Sequence, residues 1–372
     1  MKILISRIAG GLLLAGCLAG LACSKPEPFR ATTTTESGVL IVKNPAHPLY
    51  GKASLTMTEE LTLSGREGDE DAFSTLDSFA VGRDGNIFVC SERAAMVKTY
   101  SRQGALLGSF RTNTPEAGGL EHPNLAGITA AGEIAIESGG HLALGFFAPD
   151  GRLLRKISLA GFNIFRLAVD SRGRILMHSF RMIHPNTLYF FRQYDAGLKE
   201  LHKYGQSWEP QSAGNNYYPY LPIMWWALDA QDGVVYGYPD RYEIKSYDAG
   251  GSLSRVIRRE ARPVALTEAE KEAYRREYAK APYVRLHFPE AHSAFQKFTI
   301  DEKGWIYVMT WEPAPEGAGA WYDVFDDKGI YTARVALNRM PQVWTGDRVY
   351  TLDRRASGEI VLTRNEFALD LR

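Results

Sequence analysis

Arginine, histidine, carboxylate and aromatic side chains that could bind a polar ligand recur in the turn-rich segments of this 372-residue chain. Guanidinium groups bind oxyanions and aromatic faces cover apolar rings, so these types together favour a carboxylated, polar or sugar-like ligand. The candidates are Arg93, His122, Arg181, His184, Tyr217, Tyr218, Arg241, His292, Trp311 and Glu312. Alternatively, the charged members form solvated salt bridges within their loops, and the aromatic members cap the hydrophobic core.

Metal-dependent catalysis is the competing interpretation of the same residues. A zinc site needs converging His or Cys ligands, and calcium needs several oxygen atoms. The histidines follow no His-x-His or His-Glu-x-x-His spacing, so only folding could bring them together: they are His122, His178, His184, His287 and His292. No nucleophile elbow, phosphate loop or dinucleotide fingerprint occurs either. We therefore predict a non-enzyme with no catalytic residues and no cofactor, and keep calcium or zinc for the catalytic alternative.

A repeated unit of strands and glycine turns must position the candidates. The first copy predicts the strands Ser78–Val81, Ile87–Cys90, Met96–Tyr100 and Leu106–Phe110. Glycine suits the tight turns between them because it adopts positive φ without strain. The glycine turn occurs six times, at successive separations of 47, 41, 60, 71 and 42 residues. A period of roughly 40–50 residues with four strands is typical of a propeller blade. The sequence thus predicts an all-β, six-bladed β-propeller with one short helical insertion.

The motif within the repeat resembles a known family. The segments LAVDSRGRILM (167–177) and FTIDEKGWIYVM (298–309) resemble the NHL repeat. Over about residues 55–369, the chain is similar to bacterial six-bladed β-propeller lipoproteins, a group related to NHL-like and TolB-like propellers. The resemblance implies the fold but not the ligand. Similar propellers include calcium-dependent lactonases and zinc-dependent amidating lyases, which implies a hydrolase or lyase at the channel mouth as the alternative function.

The two longest glycine separations locate insertions at residues 205–222 and 263–294. In a propeller, the loops between blades emerge on the same face as the loops between the second and third strands. Insertions on one face of a rigid ring usually build a binding surface. The second insertion predicts a helix over Glu268–Lys280, with a capping box formed by Thr267 and Glu270 and an ion pair between Glu272 and Arg276.

Ring closure and turn chemistry give two further structural predictions. The last blade lacks an outer strand. Leu55–Leu63, which lies before the first blade, alternates apolar and polar residues as a strand does and could supply it. Its pairing with the last blade would remove an exposed sheet edge. At the turn position of the repeat lie Asp170, Asp229 and Asp301, which we expect to hydrogen-bond the turn backbone.

The first 23 residues predict an export signal, with Lys2 and Arg7 before an apolar run. Leu14-Ala15-Gly16-Cys17 matches a lipobox, so Cys17 is the predicted lipidation site and Cys23 is the alternative; an ordinary signal peptide also stays open. Residues 24–54 predict a flexible tether, and residues 55–372 the propeller. Cys90 cannot form an intramolecular disulfide after the leader is removed, and we expect it to be a buried thiol.

The charge balance excludes one class of partner. The 43 basic and 43 acidic residues cancel and form no basic block, which argues against nucleic acid. The sequence therefore predicts an exported, lipid-anchored monomer of the cell envelope, on the outer-membrane or periplasmic side of a Gram-negative cell. It would bind or scaffold a peptide, glycan or partner protein without catalysis. A purely structural subunit of an envelope complex is a further alternative.

Overall fold

The computed structural model describes residues 29–64, 78–212, 215–281, 283–355 and 359–372. The predicted export signal, Cys17 and Cys23 lie outside the described residues. Within the described ranges, no helix is both long enough and apolar enough to span a membrane.

Six blades, each of four antiparallel strands, form a propeller, as predicted; five are separate sheets, and blade four belongs to a six-stranded sheet. Three strands precede the first blade: β1 (Thr32–Glu36), β2 (Val39–Asn44) and β3 (Ala53–Ser64). Blade one contains β4 (Ser78–Val81), β5 (Ile87–Ser91), β6 (Met96–Tyr100) and β7 (Leu106–Arg111). Blade two contains β8 (Asn124–Ile128), β9 (Ile134–Glu137), β10 (Ala143–Phe147) and β11 (Leu153–Ser158), with a 3-10 turn at Gly139–His141. Blade three contains β12 (Ile164–Val169), β13 (Ile175–Ile183), β14 (Asn186–Tyr194) and β15 (Glu200–Pro210).

The second half of the ring carries the insertions. The short strand β16 (Asn216–Tyr217) precedes blade four, which contains β17 (Trp225–Leu228), β18 (Val234–Gly237), β19 (Glu243–Tyr247) and β20 (Leu253–Arg259). The helix α1 (Glu268–Glu277) and the strand β21 (Arg285–Leu286) follow. Blade five contains β22 (Lys297–Ile300), β23 (Ile306–Pro313), β24 (Ala320–Phe325) and β25 (Tyr331–Leu337). Blade six contains β26 (Val343–Thr345), β27 (Arg348–Arg354) and β28 (Ile360–Leu371), together with β3.

Aspartates organise the turns of the blades as predicted. The Oδ1 atom of Asp170 accepts hydrogen bonds from the backbone N–H groups of Arg172 (3.0 Å) and Arg174 (2.9 Å). Asp229 and Asp301 bind the backbone of their own turns in the same way. Each carboxylate replaces water at backbone donors that the strand ladder leaves unpaired, which fixes the turn between the first and second strands.

The hydrophobic core consists of six clusters, one between each pair of neighbouring blades. Between blades three and four, the rings of Phe191 and Trp226 stack with their centroids 4.6 Å apart. Cys90 lies in the cluster between blades one and two, fully buried as predicted. Because each blade buries both faces against its neighbours, no blade has a complete core of its own.

The ring closes by pairing the two ends of the chain. Strand β3 runs antiparallel to β28, from Val361↔Ser64 to Leu371↔Ala53 in the register. Strand β3 is the outer strand of blade six, which confirms the place predicted for Leu55–Leu63. The closure removes the free edge that β28 would otherwise expose.

The flexible tether predicted for residues 24–54 is wrong over Thr32–Asn44. Strands β1 and β2 form a hairpin, and β2 adds in parallel to β20 at the outer edge of blade four. Ser37 and Gly38, with φ values of 49° and 82°, supply the positive φ angles of a two-residue type I′ turn. Ile41 and Val42 are buried, so covering apolar surface outweighs the polar, threonine-rich composition that suggested a tether.

A buried asparagine fixes this hairpin to the junction of blades four and five. Asn44 is 3% exposed. Its Nδ2 donates to the carbonyl oxygen atoms of Arg258 (3.2 Å) and Gly329 (2.9 Å), and its Oδ1 accepts from the Tyr331 N–H (2.8 Å). The side-chain amide of Asn44 therefore hydrogen-bonds the backbone of two other segments of the chain, and it makes the hairpin part of the folded body.

The predicted helix forms with its capping box but ends earlier than expected. Thr267 accepts a hydrogen bond from the Glu270 N–H at 3.3 Å, and the Glu270 side chain accepts from the Thr267 N–H at 2.8 Å. The helix ends at Glu277, three residues before the predicted end. Glu272 lies 3.3 Å from Arg275, one residue before its predicted partner Arg276.

Candidate functional site

Residues 205–210 of the first predicted insertion belong to β15 of blade three, and the rest of it joins the second insertion in one layer over blades three to five. Strand β16 pairs in parallel with β21, so that Asn216 lies opposite Arg285 and Tyr217 opposite Leu286. The backbone N–H of His287 donates to the Tyr217 carbonyl oxygen (2.9 Å), and the His287 ring nitrogen Nε2 lies 2.9 Å from Asn216 Oδ1. Segments about 70 residues apart in sequence thus form a single structure, which we call the insertion layer.

Aromatic rings hold the insertion layer together. The rings of Tyr218 and His287 stack with their centroids 4.6 Å apart, and those of Tyr217 and Tyr278 lie 5.0 Å apart. Tyr220 packs edge-on against Tyr274, whose helix α1 is thereby fixed to the segment before blade four. Such pairs add about 0.5–1.5 kcal/mol each beyond the burial of area, so the layer is well ordered without a large core.

A cavity of about 620 Å³ lies between the insertion layer and the blades. Its size suits a small molecule or the end of a peptide. Aromatic rings dominate the lining: Phe165, Tyr189, Tyr217, Tyr218, Tyr220, Tyr274 and Trp311. Polar lining comes from His178, Ser207, Glu209, Ser293, Gln296 and Lys297. The lining combines an apolar body with a few polar groups, which is typical of ligand pockets.

Lys297 is the cationic side chain of the pocket lining. It begins β22, the innermost strand of blade five, and no carboxylate among the described residues lies within ion-pair distance of it. Burial lowers the pKa of Lys297 below its usual range. Water is thus partly removed from the ammonium group while the protein supplies no compensating charge.

Arg166 lies behind the pocket, between the inner strands of blades three and four. Its Nη1 donates to the carbonyl oxygen of Trp226 at 2.9 Å. The guanidinium group lies 4.5 Å from the centroid of the Trp225 ring and 4.3 Å from that of Trp226. Burial lowers the pKa of Arg166 to about 10. Backbone oxygen and indole faces thus solvate this cation.

His178 contributes a buried imidazole to the pocket. It is 2% exposed and lies opposite Arg166 in the strand register. Burial, and next the charge of Arg166, lower the pKa of His178 to about 4, so the ring is neutral at neutral pH. Its Nε2 atom is buried and has no hydrogen-bond partner among the described residues. An unpartnered buried nitrogen costs free energy in the folded state.

Glu209 is the acidic side chain of the lining, and it is engaged elsewhere. It is 6% exposed, and its Oε1 accepts a hydrogen bond from the Tyr238 hydroxyl, which belongs to a different cavity. Burial raises the pKa of Glu209 above its usual range. Glu209 is thus engaged by Tyr238, and among the described residues it forms no ion pair with Lys297.

Three of the ten predicted ligand-binding residues line this pocket: Tyr217, Tyr218 and Trp311. His292 lies directly behind them, with its ring stacked on Trp311 at a centroid distance of 4.2 Å. Its Nε2 lies 3.0 Å from Oε1 of Glu270, the residue that also caps α1. The geometry gives His292 a role in holding the insertion layer on blade five.

The structure distributes the other six predicted residues around the ring. Arg181 and His184 lie exposed at the tip of the β13–β14 hairpin, and Arg93 lies exposed between β5 and β6. Salt bridges occupy three more: His122 is 3.3 Å from Glu92, Arg241 is 3.8 Å from Glu243, and Glu312 is 2.9 Å from Arg334. Arg241 and Glu243 are close in sequence, whereas the other two pairs join separate segments of the chain. The binding role of these residues stays a prediction.

Sequence reasoning missed the residues at the inner end of the pocket. Phe165 and Lys297 lie on the innermost strands of their blades, and Tyr189 lies on a third strand. A signal existed, because a lysine at the start of a strand that borders the central channel cannot face the apolar interface between blades. Among the described residues, no group of three or more His, Cys, Asp or Glu side chains has a geometry that could hold a metal ion.

Comparison with known proteins shows the fold. No family model and no curated protein sequence matches this chain. A protein of Bacteroides fragilis named as exported is 8% identical, covers 89% of this chain and 99% of its own length, and superposes with a TM-score of 0.54. A DUF4221 family member from Bacteroides vulgatus is 10% identical, covers 86% of this chain and 99% of its own, and superposes with a TM-score of 0.48. Virginiamycin B lyase from Staphylococcus aureus is 10% identical, covers 86% of this chain and 100% of its own, and superposes with a TM-score of 0.42. The chain is a six-bladed β-propeller, and its structural neighbours include the Bacteroides fragilis protein named as exported.

Proposed function

We propose that this protein is an exported, lipid-anchored β-propeller that binds a small molecule or the end of a peptide in the pocket beneath the insertion layer. The observation that carries the proposal is the joining of two distant insertions over a cavity of about 620 Å³. The residues of the insertions that lie outside β15 complete no blade, since each blade has its four strands without them. Elements added to one face of a complete ring typically serve recognition.

The aromatic lining explains how such a ligand would be held. Tyr220 and Trp311 lie 6.1 Å apart with their ring planes nearly perpendicular, and both line the cavity. Rigid aromatic side chains offer large contact areas at a small loss of conformational entropy. The pocket therefore needs little ordering on binding, and affinity would come mainly from contact with these rings.

Replacing Trp311 by Phe tests the pocket. A library of small aromatic and peptide-like compounds is screened against the full chain in detergent, by thermal shift and then by calorimetry. We expect Trp311→Phe to weaken binding of the hits about tenfold, because part of the ring contact is lost while the stack on His292 is largely kept. Trp208→Phe is the matched control, since Trp208 is 51% exposed and does not line the pocket. Equal binding by both variants would contradict the proposed site.

Lipid anchoring is tested separately from ligand binding. The full chain is expressed in a bacterium fed a labelled fatty acid, and its incorporation is measured in the wild type, Cys17→Ser and Cys23→Ser. We expect the label in the wild type and in Cys23→Ser, and its loss in Cys17→Ser, because the lipidated thiol is then absent. Loss of the label only in Cys23→Ser would assign the lipid to Cys23. A wild type without label would refute the proposed lipid anchor.

A further inference from the structure

The pocket contains a cation without a counter-ion, which points to the charge of its ligand. Lys297 lines the cavity, and within the described part of the chain no Asp or Glu side chain lies within 4.0 Å of its ammonium group. Other half-buried lysines of this protein are neutralised: Lys245 lies 3.5 Å from Glu243, and Lys271 lies 2.7 Å from Glu268. A partly buried ammonium group that lacks such a partner is costly, and an anion would offset that cost.

The acid in the lining does not perform this role. Glu209 is hydrogen-bonded to Tyr238, and burial alone accounts for the lowered pKa of Lys297, with no carboxylate acting against it. A carboxylate close to the ammonium group would instead raise that pKa. The positive charge of Lys297 is therefore available to a ligand.

His178 does not change this conclusion. It lines the same cavity but is only 2% exposed, and its Nε2 atom is covered by the surrounding side chains. The imidazole is neutral, so it adds no charge to the lining. The positive charge of the lining therefore comes from Lys297.

The balance of charges limits the ligand to one negative charge. Arg166, the other cation nearby, is solvated by Trp226 and by two indole faces and does not line the cavity. Lys297 is therefore the cation that would neutralise an anionic ligand, and much of the surrounding lining is aromatic. A phosphate dianion would retain an unpaired charge in this apolar surrounding, whereas a carboxylate would not.

We propose that the pocket binds an aromatic monocarboxylate, with the carboxylate at Lys297 and the ring among the aromatic side chains of the insertion layer. The inference rests on the proposed binding function and adds the chemical class of the ligand. A carboxylate accepts hydrogen bonds from an ammonium group, and its aromatic part packs against Tyr220 and Trp311.

Matched acids and amides test the charge requirement on the unmodified full chain. The probes are phenylacetate, indole-3-acetate and N-acetylphenylalanine, each beside its primary amide, with binding measured by calorimetry at pH 7. We expect each acid to bind about tenfold to a hundredfold more tightly than its amide, because the amide cannot neutralise the ammonium group. Amides that bind as tightly as the acids would overturn the inference and leave the proposed function standing. If neither the acids nor the amides bind, both the inferred ligand class and the proposed binding function are overturned.

A lysine variant tests the assignment of the residue. In Lys297→Met the preference for acid over amide should fall to about twofold or less, since the apolar stem stays and the charge is lost. Lys297→Arg should retain the preference, and Lys245→Met should behave as the wild type because its charge serves Glu243. An unchanged preference in Lys297→Met would overturn the assignment. If this variant fails to fold, the comparison of acids with amides on the wild type still decides the charge requirement.

Discussion

His178 shows how a single residue acquires its character from its position. The imidazole lies on β13 between the rings of Phe165 and Tyr189, with centroid distances of 5.1 and 5.6 Å. Desolvation there opposes protonation, and Arg166 adds repulsion. The sequence placed His178 among candidate metal ligands, but its strand position makes it a buried neutral base in an aromatic surrounding.

The buried imidazole makes stability depend on pH. Unfolded, His178 has an ordinary pKa near 6.5, and folded it has a pKa of about 4, so the unfolded state binds more protons between these values. The contribution of His178 is thus fully present above pH 6.5 and is lost as the pH falls toward 4. The loss amounts to about 3 kcal/mol in the free energy of unfolding.

Urea denaturation of the wild type and His178→Gln at pH 7 and pH 4.5 measures this contribution. We expect the free energies of unfolding of the two proteins to converge or cross as the pH falls, because the variant has no group to protonate. The difference between the proteins is the relevant quantity, since His141, whose pKa is raised by Glu137, acts in the opposite direction in both. His184→Gln, at an exposed histidine of the same hairpin, should show the pH dependence of the wild type. The same dependence in His178→Gln would contradict the assignment.

At the scale of elements, the molecule is held by strands that come from distant parts of the chain. Strand β3 completes blade six, and its Leu63 packs in the cluster between blades six and one. Strand β2 extends blade four, and Asn44 fixes its end to blade five. The N-terminal segment thus contacts the ring at two separate places.

Removal of β3 should therefore destabilise the whole ring. A variant that carries Leu55→Ser, Met57→Ser and Leu63→Ser keeps the chain length but loses the side chains that pack on blades five, six and one. We expect its melting temperature to fall by roughly 10 °C or more, because several kcal/mol of burial are lost. Serines at the exposed positions Thr56 and Thr58 of the same strand are the control. An unchanged melting temperature in the first variant would refute closure by β3.

At the scale of the whole molecule, the repeat predicted the architecture because its turns and strands depend on residues that are close in sequence. Each glycine or aspartate turn is set by residues a few positions apart, so the blades, their number and the closing strand followed from the sequence. The hairpin of β1 and β2 was missed although Ser37-Gly38 is a turn signal, since its stability depends on pairing with β20, more than 200 residues away.

The pocket could be predicted only in part, for the same reason. The insertions and Tyr217, Tyr218 and Trp311 are visible as departures from the repeat. The pairing of β16 with β21 is not, because it depends on how two segments meet over the ring. The isolation of Lys297 is likewise a property of packing, since a missing counter-ion has no signature in sequence.

The parallel addition of β2 to β20 has a mechanical consequence for a protein anchored through its N terminus. The five residue pairs from Leu40↔Arg255 to Asn44↔Arg259 run along the strand. A force applied to the chain before β1 reaches β1 first, so β1 must separate from β2 before the pairs of β2 with β20 are loaded. Asn44 lies at the last of these residue pairs, so its hydrogen bonds to blades four and five are loaded last. The hairpin therefore lies between any pull on the N-terminal segment and the ring closure at β3.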